Sequence, residues 1–149
     1  MLIGTHHVCF TVSDMDRSLR FYRDLLGLHV MHDWVTEAEY LRTMIPLPGL
    51  RLRIVFLGLP GTHVRLELIE YLEPRGHGRA PATNVPGSAH VCFDVSDIDA
   101  LYERLRASGV ECNSSPVLIT SRANYGARGV YLRDPDGNAL ELRQPAPGI

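Results

Sequence analysis

Residues 7–16 read HVCFTVSDMD and residues 90–99 read HVCFDVSDID, so the two stretches are identical at eight of ten positions. In both copies apolar residues at every second position alternate with other side chains, the pattern of a β-strand with two unlike faces. The valines and Phe10 of the first copy share one face, which leaves His7, and His90 in the second copy, on the other. Because this arrangement occurs twice, the repeat predicts a polar cavity that both copies share.

Each repeated strand is followed by a signal for the start of a helix. A serine and an aspartate stand three residues apart in both copies, Ser13 with Asp16 and Ser96 with Asp99. This spacing resembles a capping box with aspartate in place of the usual glutamate. We therefore expect Ser13 and Ser96 to be helix N-cap residues.

Composition and charge exclude several classes of protein. The 149 residues, 45% hydrophobic and 21% charged, are typical of one soluble globular domain with its own core. The net charge of −2 gives no reason to expect nucleic acid or an anionic membrane as a partner. No apolar run reaches the roughly 18–20 residues that span a bilayer, and the N-terminus lacks the pattern of a signal peptide. Three widely spaced cysteines argue for free thiols, so we expect a cytoplasmic protein.

Hydrophobic periodicity and turn residues divide the chain into two similar halves. The first half predicts strands and helices in the order strand 3–12, helix 14–26, strand 28–35, short helix 37–44, strand 50–57 and strand 64–71. The second half predicts strand 89–95, helix 97–108, a strand at 110–112 or at 117–120, loop 121–127, strand 128–133 and strand 139–144. Residues 73–88 are rich in Gly and Pro and lack periodicity, which indicates a linker.

Both halves therefore read strand–helix–strand–strand–strand, and this internal repeat sets the architecture. We expect a single α+β domain over residues 1–149, built from two tandem βαβββ modules at 1–72 and 89–149 that the linker 73–88 joins. A lone four-stranded sheet with one helix has an open face and exposed edges. We therefore expect the halves to pair edge to edge into a curved mixed sheet, with the helices outside and a cavity inside.

The closing strands of the two halves repeat as well, as Leu-Glu-Leu at 66–68 and at 140–142. If these leucines join the apolar face of the first strands, Glu67 and Glu141 turn to the face of His7 and His90. Two imidazoles and two carboxylates suit a divalent ion such as zinc, cobalt, nickel, manganese or iron. A metal would also compensate the carboxylates, because buried carboxylates without partners are strongly disfavoured. The sequence predicts one divalent metal ion in the cavity, held by these four residues.

The paired HVxF motifs with their aspartates, the two LEL strands and the DPDGN turn at 134–138 resemble the vicinal oxygen chelate superfamily over essentially the whole chain. That superfamily includes glyoxalase I, methylmalonyl-CoA epimerase, fosfomycin-resistance proteins and extradiol ring-cleaving dioxygenases. The resemblance implies metal ligands on the first and last strands of each module, the positions of His7, Glu67, His90 and Glu141. It also implies a small-molecule substrate and a homodimer.

The chemistry of that superfamily uses the metal as a Lewis acid that stabilises an enediolate while a carboxylate moves the carbon-bound proton. A set of two His and two Glu resembles glyoxalase I and the epimerases more than the dioxygenases, which use two His and one carboxylate. We expect a metal-dependent isomerase or epimerase that acts on a small oxygenated substrate. The alternatives are a glyoxalase I-type lactoylglutathione lyase, a non-catalytic small-molecule-binding or resistance protein, and an extradiol dioxygenase.

The expected catalytic bases are Glu67 and Glu141. Glu37 and Glu39 are further candidates, because the insertion at 37–49 is expected to line or cover the pocket. A solvated helix face nevertheless explains these two residues better.

Several other residues are predicted to contact the substrate. Arg65 and Arg143 share the strand parity of the glutamates, so they could bind an anionic group or pair with Glu67 or Glu141. The resemblance places a loop near the mouth of the pocket, and this loop carries Arg122, Asn124 and Tyr125.

Three further residues lie close to the predicted ligands. His6 is predicted to be structural, because its equivalent is Ala89 and strand alternation turns it away from His7. Cys9 and Cys92 should face the cavity beside the histidines. Small packing residues are a better explanation of the two cysteines than soft ligands or reactive thiols.

Overall fold

The computed structural model describes residues 1–148 and confirms the α+β class with two tandem βαβββ modules. The first half contains β1 (His7–Val12), α1 (Met15–Leu19), a π-helical segment (Arg20–Leu25), β2 (His29–Thr36), α2 (Glu39–Met44), β3 (Arg51–Gly58) and β4 (Arg65–Glu73). The second half contains β5 (His90–Asp94), α3 (Ile98–Ala107), β6 (Val117–Leu118), a 3₁₀ turn (Arg122–Asn124), β7 (Arg128–Arg133) and β8 (Ala139–Gln144). None of the helices within residues 1–148 combines the length and apolar character that crossing a bilayer requires.

Each half forms its own four-stranded mixed sheet. The strand order is β1-β4-β3-β2 in the first sheet and β5-β8-β7-β6 in the second. In both sheets the first and last strands of the half pair in parallel, and the remaining pairs are antiparallel. The chain divides into two compact units between Gly78 and Arg79, a boundary inside the predicted linker 73–88. The joining of the two sheets around a shared cavity stays a prediction.

Two strand boundaries differ from the sequence-based expectation. β1 begins at His7 rather than at residue 3, because its partner β4 begins at Arg65 and residues further upstream have no strand beside them. The short strand of the second half is β6, and residue 112 also forms an isolated bridge with Leu132 of β7. Both predicted positions therefore contact β7. Between them lies Pro116, which lacks an N–H donor and directly precedes β6.

The helix N-caps lie one residue later than predicted. The carboxylate of Asp14 accepts from the Arg17 N–H at 2.9 Å, and that of Asp97 accepts from the Ala100 N–H at 3.0 Å. Both aspartates have the extended backbone that an N-cap needs, and a carboxylate also interacts favourably with the positive end of the helix dipole. The expectation for Ser13 and Ser96 was therefore wrong, since an aspartate follows each serine and takes the cap position.

The closing strand of each half also caps the helix of that half. Glu70 in β4 accepts from the Met15 N–H at 3.1 Å, and Gln144 in β8 accepts from the Ile98 N–H at 2.9 Å. These backbone groups belong to the first turn of a helix and have no partner inside it. Glu70 is buried, so its hydrogen bond attaches α1 to the sheet in a place that water reaches poorly.

The strand register gives the first sheet two distinct faces. Parallel pairing sets Cys9 beside Glu67 and His7 beside Arg65, so these side chains share one face, which we call the site face. The opposite face is apolar and packs against α1 and the π-helical segment, with buried residues Phe10, Val12, Leu66, Leu68, Met15, Leu19 and Tyr22. The second sheet follows the same rule, with Leu140 and Leu142 buried on the side opposite Glu141.

The insertion at 37–49 contributes a second apolar cluster on the site face. Leu41 of α2 is buried with Leu50, Leu52 and Ile54, and Ile69 and Tyr71 pack against this group. Ile69 and Tyr71 follow Glu67 at alternate positions of β4, so they share its face. The helix α2 therefore covers the part of the site face beyond Glu67, and the expected role of the insertion in lining or covering a pocket stays a prediction.

The buried hydrogen bond from Met15 to Glu70 can be tested by mutation. Glu70→Leu should lower the free energy of unfolding by about 1–3 kcal/mol, because it leaves a buried N–H without an acceptor. Glu70→Gln keeps an acceptor oxygen and should cost less than about 1 kcal/mol, since Gln144 caps α3 in this way. Urea unfolding followed by circular dichroism measures both values. Equal losses in the two variants would contradict a cap through this side chain.

Candidate functional site

The first half brings His7 and Glu67 together on the site face. His7 is the first residue of β1, and Glu67 lies diagonally across the parallel pair on β4. The distance from His7 Nε2 to Glu67 Oε2 is 3.3 Å. The Glu67 side chain is 11% exposed and the His7 side chain 39%, so the imidazole is the accessible partner.

The second half repeats this pair with the same atoms at the same distance. His90 begins β5, Glu141 lies on β8, and Nε2 of the histidine is 3.3 Å from Oε2 of the glutamate. The register Cys92 to Glu141 matches the register Cys9 to Glu67. The duplication therefore extends from sequence to side-chain geometry.

Each pair by itself contains two of the four predicted metal ligands. Imidazole nitrogen and carboxylate oxygen suit zinc and neighbouring divalent ions, which take three or four protein ligands. Across residues 1–148, no three His, Cys, Asp or Glu side chains form a group that could hold a metal ion. The donor types thus fit the predicted ion, while the predicted ligand set needs both pairs and stays a prediction.

An aromatic ring stands behind each histidine. Phe56 on β3 is paired with Glu67, and its ring centroid lies 5.7 Å from that of His7. Tyr131 on β7 is paired with Glu141, and its ring centroid lies 5.2 Å from that of His90. These rings were absent from the predicted site. A repeat of Val-aromatic-Leu at 55–57 and 130–132 is the sequence signal that could have revealed them.

The two aromatic positions differ by one hydroxyl group. The Tyr131 hydroxyl lies 3.4 Å from His90 Nε2, whereas Phe56 offers His7 no polar atom. Burial raises the pKa of Tyr131, and the charge of Glu141 and a hydrogen bond to it raise it further. The second half therefore has a phenol hydroxyl next to its histidine, at the position where the first half has the apolar ring of Phe56.

The cysteines lie on the same strand face as the histidines, as the strand parity predicted, and the register sets them directly beside the glutamates. Burial around the sulfur, followed by the charge of Glu67 and a hydrogen bond to it, raises the pKa of Cys9 to about 12. Burial and the charge of Glu141 raise the pKa of Cys92 to about 11. Both residues nevertheless have exposed surface. The thiols therefore stay protonated near neutral pH and hydrogen-bond to the carboxylates.

His6 lies beside His7 rather than on the opposite face, so the predicted orientation of His6 was wrong, while its structural role stays a prediction. Strand alternation does not reach it, because β1 begins one residue later. His6 Nδ1 lies 2.8 Å from His7 Nδ1, and the His6 ring centroid is 6.0 Å from that of Phe56. Arg65 NH1 lies 2.6 Å from His6 Nε2 on the other side of the ring.

The direction of these hydrogen bonds follows from Arg65. A guanidinium group can only donate, so His6 Nε2 accepts and the proton of a neutral His6 lies on Nδ1. His6 Nδ1 then donates to His7 Nδ1, which leaves the proton of a neutral His7 on Nε2, facing Glu67. Arg65 thus donates to His6 and His6 donates to His7, whose Nε2 lies 3.3 Å from Glu67 Oε2.

The two predicted substrate arginines have different surroundings. Arg143 does not pair with Glu141 but forms a two-point ion pair with Asp94, at 2.7 Å for both Nε–Oδ1 and NH2–Oδ2. The hydrogen bond from Arg143 is the main reason why the pKa of Asp94 is lowered. The guanidinium of Arg65 lies over the Phe56 ring at 5.9 Å from the ring centroid.

The predicted contact loop is brought to Arg143 at one point. Asn124 Oδ1 accepts from Arg143 NH1 at 2.8 Å, so this part of the loop lies on the same side of β8 as Glu141. Arg122 and Tyr125 are exposed at the ends of the 3₁₀ turn. The structure therefore brings one of the three loop residues to a predicted site residue.

The alternative bases of the insertion have ordinary surface roles. Glu37 lies 3.3 Å from Arg51 and 3.9 Å from Arg42, with more than half of its side chain exposed. Glu39 is in the first turn of α2, where a negative charge is favourable. Both positions agree with the solvated-face explanation rather than with a base.

A comparison with protein-family models identifies the family. Residues 4–142 match the model described as the glyoxalase/bleomycin resistance protein/dioxygenase superfamily. The chain belongs to this superfamily. The resemblance to vicinal oxygen chelate proteins that the repeated motifs indicated is therefore confirmed.

The chain is similar to two named epimerases and to one solved structure of a glyoxalase family protein. A 2-epi-5-epi-valiolone epimerase from Actinomyces sp. is 33% identical over 144 residues, which are 94% of this chain and 78% of the relative. An ethylmalonyl-CoA/methylmalonyl-CoA epimerase from Cereibacter sphaeroides is 28% identical over 154 aligned residues, and the alignment covers 97% of this chain and 99% of the relative. The crystal structure of a glyoxalase family protein from Bacillus cereus superposes with a TM-score of 0.86 at 26% identity, over 98% of this chain and 96% of the other.

The raised thiol pKa values predict slow alkylation of two cysteines. At pH 8, iodoacetamide should modify Cys92 roughly 100-fold and Cys9 roughly 1,000-fold more slowly than in urea-unfolded protein, because only the thiolate reacts. Glu67→Gln should speed the reaction of Cys9 and leave Cys92 unchanged, since it removes the charge beside Cys9 only. Mass spectrometry of the cysteine peptides measures each rate. Rates equal to those of unfolded protein would show that the carboxylates do not protect the thiols.

The donor chain predicts the tautomer of His7 in metal-free protein. The proton of neutral His7 should lie on Nε2, and Arg65→Gln should allow the Nδ1 tautomer as well, because a neutral amide can donate or accept. Long-range ¹H–¹⁵N spectra of histidine-labelled protein distinguish the two tautomers. His90, which has no equivalent of His6, is the internal reference and should not respond to the substitution. An Nδ1-protonated His7 in the unsubstituted protein would contradict the assigned direction.

Proposed function

We propose that this protein is a divalent-metal-dependent epimerase or isomerase that moves a proton on carbon in a small oxygenated substrate. The observation that carries the proposal is the duplicated His–Glu pair, with Nε2 and Oε2 3.3 Å apart in both halves. A pair of this kind in one half alone would be an ordinary surface contact. Its exact repetition on corresponding strands supports a common use of both pairs.

The proposed ligands of the ion are His7, Glu67, His90 and Glu141, used as one set. A divalent ion bound there would act as a Lewis acid toward the substrate oxygens and lower the cost of negative charge on them. Nitrogen and carboxylate donors admit zinc, cobalt, nickel, manganese or iron. The groups that contact the proposed ligands differ between the halves, since His6 and Phe56 lie against His7 and Tyr131 lies against His90.

The proposed bases are Glu67 and Glu141. An epimerase must remove a proton from one face of a carbon and return one to the opposite face, which a carboxylate from each half could do. Each carboxylate has a thiol beside it that donates a hydrogen bond, and this contact restricts its rotation. Two of the relatives described above carry names of epimerases, which supports this reaction class over the lyase, the dioxygenase and a purely binding function.

Further residues complete the proposal. Arg143 with Asn124, and the exposed Arg122 and Tyr125, are proposed to contact the substrate from the loop side, and Arg65 from the first half. The ion pair to Asp94 restricts Arg143, so Arg143 would hold the loop in place as well as contact the substrate.

We also propose that the protein is a homodimer in the cytoplasm. Gel filtration with light scattering measures the oligomeric state.

The metal content of purified protein is the first test. Unsubstituted protein should contain about one divalent ion per chain, and Glu67→Ala and His90→Ala should each lower the content at least about tenfold, because each removes one ligand of the set. His63→Ala is the matched control, since His63 is exposed in the turn before β4 and should leave the content unchanged. Elemental analysis measures all four proteins. Loss of metal in one variant only would contradict a single site built from both halves.

Exchange of a carbon-bound proton with solvent deuterium is the test of the reaction. Metal-loaded protein should incorporate deuterium into 2-hydroxyketones or acyl-CoA thioesters, and Glu67→Gln or Glu141→Gln should slow it at least about 100-fold, as expected for loss of a general base. Proton NMR follows the exchange. Full metal content without exchange in either substrate class, together with turnover of methylglyoxal and glutathione, would replace the epimerase by the lyase.

A further inference from the structure

We propose that Arg65 binds an oxyanion group of the substrate, a phosphate or a carboxylate, and that His6 couples this binding to the tautomer of His7. The proposal rests on the proposed function, because it assigns an anionic substrate to the same site. It starts from a difference between Arg65 and the other predicted arginine, Arg143.

The surroundings of Arg65 leave its charge without a counter-charge. Across residues 1–148, the groups that contact its guanidinium are the rings of His6 and Phe56, and neither ring carries a negative charge. The carboxylate of Asp94, by contrast, satisfies Arg143 at two points. A half-buried guanidinium that is held in place but not neutralised is well prepared to bind an oxyanion, for which its planar set of donors is suited.

The position of Arg65 connects it to the predicted ligands. Arg65 is paired with His7 across β1 and β4 and lies two residues before Glu67, so all three share the site face. An oxyanion on Arg65 would therefore lie next to the histidine and glutamate of the first half. The second half has Ala139 at the corresponding position beside His90, so the subsite belongs to one half only.

His6 links the arginine to the metal-binding atom of His7. With Arg65 as donor, the proton of His7 lies on Nε2, the atom that faces Glu67 and that a metal would need free. When an oxyanion accepts the hydrogen bonds of the Arg65 guanidinium, His6 Nε2 loses its donor. The proton of neutral His6 can then lie on Nε2 instead of Nδ1. His6 Nδ1 then accepts from His7 Nδ1, and His7 Nε2 becomes free for a metal. Oxyanion and metal should therefore strengthen the binding of each other.

The first experiment measures oxyanion binding without metal, so a failure of the proposed metal chemistry does not affect it. Protein stripped of metal, with the chelator removed by gel filtration, is titrated with inorganic phosphate or with acetate at pH 7.5. Backbone ¹H–¹⁵N shifts at residues 6, 7 and 65 should saturate with at least one of the two. Arg65→Gln should raise the dissociation constant at least about tenfold, and Arg23→Gln, which removes an exposed guanidinium paired with Asp24 in the π-helical segment, should change it less than about twofold. No saturation, or equal effects of the two substitutions, would overturn the subsite.

The second experiment measures the coupling. Competition titration with Co²⁺ and a chromophoric chelator gives metal affinity with and without the saturating oxyanion. Oxyanion should raise the affinity at least about fivefold in unsubstituted protein, and both Arg65→Gln and His6→Ala should remove this increase. Circular dichroism of the variants checks that they are folded. An increase that persists in both variants would mean that the oxyanion binds the metal directly, and it would overturn the role of His6.

Discussion

The parallel pairing of the first and last strands of each half is the constraint on which the site depends. These strands are far apart in the chain, yet their register sets a cysteine beside a glutamate in both sheets, Cys9 with Glu67 and Cys92 with Glu141. In parallel strands, paired residues point to the same side, so the histidine two residues earlier faces the carboxylate diagonally. A shift of one residue would turn the glutamates into the helix side, where the leucines now form the core.

The same pairing ties the helices to the sheets. Further along the closing strands, Glu70 and Gln144 accept hydrogen bonds from the first turns of α1 and α3. One strand therefore supplies core leucines to one face, a site carboxylate to the other, and a helix cap at its end. The position of the site and the stability of the fold therefore depend on the same register, which both sheets share.

The two halves share this backbone but differ in the groups around the His–Glu pair. The first half has His6, Arg65 and the ring of Phe56, and the insertion covers the far part of the site face through α2. The second half has the Tyr131 hydroxyl and an alanine beside His90. The two His–Glu pairs are therefore alike in geometry but differ in the hydrogen-bond donors around them.

The sequence by itself determined the duplication, the element order and the side of each strand on which the repeated histidines and glutamates lie. Period-two alternation is a local property, so His7, Glu67, His90 and Glu141 could be assigned to a face without a structure. The alternation gave the wrong face for a residue that lies just outside the paired strand. β1 begins at His7 because β4 begins at Arg65, and for that reason His6 lies beside His7 instead of opposite it. Contacts between strands could not be predicted from the alternation either, because they join distant segments of the chain. Such contacts place Phe56 and Tyr131 beside the histidines and pair Arg143 with Asp94. Only the tertiary structure decided which arginine is neutralised, because charge pairing depends on register and distance rather than on residue type.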